Sequence, residues 1–86
     1  MPYILPSWRE LFDPLLNNLG PLVESPGELN YCITKLCLAY LAGCEKINYT
    51  RVAEIHGVLD TVGREFYRRV VVPYENDRKN ENGDVY

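Results

Sequence analysis

Apolar residues recur at helical spacing in three successive stretches of this chain, and proline, glycine and polar clusters separate them. The first stretch carries Trp8, Leu11, Phe12, Leu15, Leu16 and Leu19, the i, i+3, i+4 pattern of an amphipathic helix. Ser7 and Glu10 before it have the S-x-x-E spacing of a capping box, so a helix is expected to start at Ser7. Pro14 interrupts this pattern. Either the helix kinks there, or Asp13 caps a new turn with Pro14 at its first position. Gly20-Pro21 weakens the end, and a break is expected by Ser25.

The second stretch opens with Ser25-Pro26-Gly27-Glu28, again cap, proline at the first helical position and glutamate at the third. Leu29, Cys32, Ile33, Leu36, Cys37, Tyr40 and Leu41 then form a wide apolar stripe. Gly43 is placed to end the helix in a left-handed conformation. The third stretch sets Val52, Ile55, Leu59, Val62, Phe66 and Val70 at nearly heptad spacing. It predicts a helix from about Thr50 to Val72, roughly 34 Å long at ~1.5 Å per residue. Such a helix would overhang shorter partners and invite a second copy of the chain. Pro73 is expected to stop it.

The predicted fold is therefore all-α. A kinked N-terminal helix packs on a hairpin of the second and third helices, and the chain is expected to form a homo-oligomer. One domain covers 1–86, with an extended arm at 1–6, a helical core at 7–72 and a polar tail at 73–86. Leu5, lying before Pro6, should be extended. The tail has few apolar anchors, and its composition reads as disordered.

With 86 residues, the chain sits where a core is marginal without a disulfide, a metal or self-association. Cys32, Cys37 and Cys44 are odd in number and lack C-x-x-C spacing, so neither a disulfide framework nor a zinc site is indicated. That leaves oligomerisation. No signal peptide is visible, and the longest apolar run, Leu36–Cys44, is far short of the ~20 residues of a membrane span. A reduced cytoplasmic setting and no membrane partner follow as expectations. The net charge of -3 disfavours general nucleic-acid binding without excluding a local basic patch.

Catalysis is not indicated. His56 is the only histidine, with Asp60 four residues on, and is read as structural or solvated. The chain has no metal-binding, nucleophile-elbow or phosphate-loop motif. No cofactor is expected. More informative is Arg64-Glu65-Phe66-Tyr67-Arg68-Arg69. Arg64 and Arg68 share a helix face, and Glu65 and Arg69 have the order of a favourable surface ion pair. Two arginines on one face want a counter-charge. An acid from another helix or a symmetry mate would supply it, as would a bound phosphate or carboxylate. Seven tyrosines are generous for this length, and tyrosine is enriched at interfaces. Beside arginine, Tyr67 has the makings of a base-stacking site as well as of an ordinary interface.

Met1-Pro2-Tyr3-Ile4, the segment 29–34, Phe66-Tyr67-Arg68-Arg69-Val70, Pro73-Tyr74-Glu75 and the ending 81–86 together resemble a family of short tailed-bacteriophage proteins. The resemblance spans nearly the whole chain and implies a working role for the arginine segment and the tail. A phage source implies host-takeover or anti-defence factors, DNA-associated regulators or minor virion parts. By analogy with helical oligomers that sequester cyclic nucleotides of bacterial immunity, the leading expectation is a homo-oligomeric sponge in the host cytoplasm. Arg64, Arg68 and Arg69 would neutralise phosphates, and Tyr67 and Tyr31 would stack on bases. Thr34 and Lys35 would assist from the second helix, and Tyr74, Lys79, Asn82 and Tyr86 would close the pocket from the tail. The alternatives are a protein-interaction module, as host-enzyme inhibitor or virion scaffold component, and a DNA-associated regulator.

Overall fold

The computed structural model describes residues 4–86. Of the expected arm, residues 1–3 lie outside the described residues. The described residues are helical almost throughout and contain no strand. The chain divides into two units, one running up to Asn48 and the other from Tyr49 to Tyr86.

In the first unit, α1 spans Pro6–Leu19, a 3-10 turn follows at Gly20–Leu22, and α2 spans Pro26–Ala42. The helix α1 begins one residue before the expected Ser7. Leu5 is extended (φ -62°, ψ 146°) and acts as N-cap with no side-chain bond, so the Ser7–Glu10 capping box does not form. Pro6 is the cause. Its fixed φ suits the first helical position, which draws the helix start ahead of Ser7. Pro14 lies inside α1, which continues to Leu19 without a fresh cap at Asp13. Val23 is extended, and the chain breaks before Ser25 as expected.

At α2 the second cap is formed as read. Ser25 is extended, and its Oγ accepts the Glu28 N–H at 3.1 Å. Glu28 Oε1 reaches back to the Glu24 N–H at 2.9 Å, one residue outside the usual reciprocal partner. Gly43 ends α2, but in a right-handed conformation (φ -77°, ψ -9°), correcting the left-handed expectation. Its N–H bonds the carbonyls of Ala39 and Tyr40, so the last turn closes without a positive φ. Apolar residues lie all round α2, including Tyr31, Ile33, Leu36, Leu38 and Tyr40. Such a helix is ordinarily surrounded by other elements.

In the second unit, α3 spans Tyr49–Phe66, a π turn spans Tyr67–Val71, and α4 spans Val72–Asn82. The expected stop at Pro73 is overturned, and residues 73–82 of the expected polar tail are helical. A proline inside an α-helix removes one hydrogen bond and drives its ring against the carbonyl four residues back. A π turn stands just before Pro73. The N–H of Val72 donates to the carbonyl of Tyr67, five residues back, which widens the turn. Pro73 then falls in the first turn of α4, where a missing N–H is tolerated. Backbone angles on either side, at Phe66 and Val72, remain helical. Gly83 ends α4 with φ +82°, and its N–H bonds the Lys79 carbonyl at 2.8 Å.

No described residue is buried. The stripe of α3 is open, with Phe66 at 59% exposure, and so is α2, with Leu36 at 67%. Apolar residues make up 47% of the sequence, yet among the described residues neither unit buries a core of its own.

Candidate functional site

The arginine segment lies at the junction of α3 and the π turn. Its charges are organised locally. Arg64 Nη2 meets Asp60 Oδ2 at 2.9 Å across one helical turn. Arg68 Nη2 donates to Glu65 Oε1 at 2.9 Å and to Oε2 at 3.1 Å. Arg69 Nε also donates to Glu65 Oε1. One carboxylate thus holds two guanidinium groups. The Arg69 hydrogen bond first, and the Arg68 one second, hold the Glu65 carboxyl below its usual range. The Arg64–Asp60 pair is exposed on both sides, whereas the Glu65 carboxylate is half-buried beneath the exposed ends of Arg68 and Arg69.

Arg64 and Tyr67 line an open groove of about 390 Å³ together with Leu59, Asp60 and Gly63. Its floor exists because Gly63 has no side chain, and a Cβ built there would meet nothing within 4 Å. The groove offers an aromatic ring, a guanidinium, a carboxylate and a leucine on one side of a single helix. That combination suits an amphipathic partner, whether a planar anionic molecule or a helix with mixed side chains.

Beyond the π turn, Arg78 stacks over the Tyr74 ring at 5.3 Å and its Nε reaches the Tyr74 hydroxyl at 3.2 Å. Lys79 Nζ meets Asp84 Oδ2 at 3.1 Å. Asp84 Oδ1 accepts the Tyr86 N–H at 3.2 Å. The Tyr86 amide, followed by Lys79, lowers the Asp84 carboxyl below its ordinary value. The chain end is therefore tied to the last turn of α4 through Lys79 and Asp84. The side chain of Tyr86 itself is fully exposed.

Of the expected site residues, Arg64 and Tyr67 share the groove, while Arg68 and Arg69 converge on Glu65. Tyr74, Lys79 and Asn82 lie on α4 of the same unit, and Tyr86 lies beyond it. Tyr31, Thr34 and Lys35 lie on α2 of the other unit, where Thr34 Oγ1 bonds Asn30 Oδ1 at 3.3 Å. Asp60 enters the sequence reading only as a neighbour of His56 four residues before it, whereas it pairs with Arg64 four residues after it. Both spacings are equal, and the permanent charge on arginine decides between them. Gly63 and Arg78 were not singled out, although glycine inside an amphipathic stripe is a readable signal.

No helix among the described residues is long and apolar enough to cross a membrane. Fold and site together define an all-helical domain with an exposed aromatic–arginine face beside a π turn. The chain belongs to the family described as a domain of unknown function, DUF6899, which it matches over residues 1–85. No curated protein and no solved structure matches it.

Proposed function

We infer that this protein works by assembly and binding, as a homo-oligomeric helical module that presents the α3 face and its arginine groove to partners. The observation that carries this reading is the exposure of much of the apolar face of each unit, with Leu36 at 67% and Phe66 at 59%. An exposed apolar face of this kind, on either unit, marks an interaction site on a folded protein. A short chain without a disulfide gains its missing burial most directly from another chain. Native mass spectrometry of the full chain, joined to binding of a hydrophobic dye, tests it. A defined oligomer with little dye binding is the expected result. A monomer that binds no dye would overturn the reading.

A second reading rests on the pairing of Tyr67 with Arg64 in one groove. It is the sequestration of an anionic, nucleotide-type signalling ligand, which in a phage protein would blunt host defence in the host cytoplasm. Ring stacking and guanidinium–phosphate contacts are the chemistry it uses. Calorimetry against a panel of cyclic di- and trinucleotides tests it, and absence of heat with folded protein would sink it. A host protein with acidic residues is the other partner these arginines suit, and an affinity that weakens when Arg64 and Arg68 are neutralised would support it.

A further inference from the structure

We propose that the partner covering the α3 face is a second copy of the same helical run, crossing it at Gly63; this rests on the assembly reading above. From Tyr49 to Asn82 the chain is helical without a break, about 50 Å at ~1.5 Å per residue. The helices of the first unit have 14 and 17 residues, about 21 and 26 Å. Neither matches the run in length. A second copy does.

Area agrees with this occupant. The face is built from Val52, Leu59, Val62, Phe66, Tyr67, Val70 and Tyr74, between 40% and 59% exposed. Taking ~60–120 Å² for an aliphatic side chain and ~150–250 Å² for an aromatic one, they leave roughly 500 Å² of apolar surface open. Two copies seated face to face would bury up to about 1,000 Å² from these side chains alone, the lower bound for a biological interface, and flanking residues would add to it.

Gly63 fixes where the copies cross. It follows Leu59 by four residues and precedes Phe66 by three, so it shares their stripe. Inside an exposed helix glycine is unfavourable by ~1 kcal/mol relative to alanine. Within its own unit, a Cβ built there would meet no side chain within 4 Å. A helix backbone laid into that notch gives the glycine its use, because small residues let helix axes approach closely. Gly57 also meets nothing, but at ~100° per residue it lies on the opposite side of α3. It serves as the matched control.

The test is sedimentation equilibrium on the full chain with Gly63→Leu, Gly57→Leu and Phe66→Glu, each checked for helix content by circular dichroism. Leucine is a better helix former than glycine, so both glycine variants should keep their helix. The dissociation constant should rise about tenfold or more for Gly63→Leu and Phe66→Glu and stay near wild type for Gly57→Leu. A wild-type oligomer that tolerates both Gly63→Leu and Phe66→Glu would overturn this crossing while leaving assembly intact. A monomeric wild type would overturn both.

Discussion

The backbone N–H of Val72 reaches past the usual partner and bonds the carbonyl of Tyr67, five residues back. This one bond converts a proline that should end a helix into one that sits near the start of another. It also places Tyr67, Arg68 and Arg69 on a locally widened turn, a feature found often at functional sites. The aromatic–arginine segment and the irregular backbone coincide.

Replacing Pro73 with alanine restores an N–H that can bond the carbonyl of residue 69. The π turn should then relax into a regular α-helix. Amide exchange read by NMR should show the new amide at position 73 protected, whereas a persistent π turn would leave it fast.

Acid should loosen the α3–π junction. Glu65 is held below its ordinary value of 4.5 by Arg69 and then Arg68. A carboxyl with a depressed folded pKa adds stability above its unfolded pKa and loses it as the pH falls through the folded one. Protection of amides around residues 64–70 should therefore fall on acidification below about 4.5. Glu65→Gln should show weaker protection already at neutral pH and lose the acid dependence of this segment.

Ser25→Ala removes the acceptor for the Glu28 N–H. The first turn of α2 should fray, with a loss of about 1 kcal/mol in chemical denaturation. Ser7→Ala should have little effect, since Ser7 makes no cap. Equal losses at the two serines would contradict the assignment of caps.

Gly83→Ala tests the end of α4. A φ of +82° with ψ 159° is a conformation that residues with a Cβ adopt at about 1 kcal/mol or more. The variant should release the Lys79–Asp84 contact and raise amide exchange over residues 83–86, with α3 unchanged.

The sequence was most legible where a local rule stood alone. Ser25, Pro26 and Glu28 have one consistent reading, and the cap forms. Ser7 and Glu10 matched the same rule, but Pro6 claimed the first helical position. Pro73 was read as a stop because no simple spacing announces a π turn upstream of a proline. The tail was read from composition, which hides its register. Tyr74 with Arg78 and Arg78 with Glu81 are helical neighbours, and their contacts form on α4. At the groove, Arg64 and Tyr67 were visible as an i, i+3 pair. The counter-charge was sought on another element, when Asp60 stood one turn away.

A π turn is one residue of slack wound into a helix. In a Pro73→Ala chain, removing any one residue between 67 and 71 should close the ladder as plain α-helix while α4 keeps its azimuth relative to α3. Such a deletion would leave the surrounding faces aligned, where the same deletion inside α2 would rotate everything after it by about 100°. The turn thus makes 67–71 the stretch of the chain where length can change without turning one half of the long helix against the other.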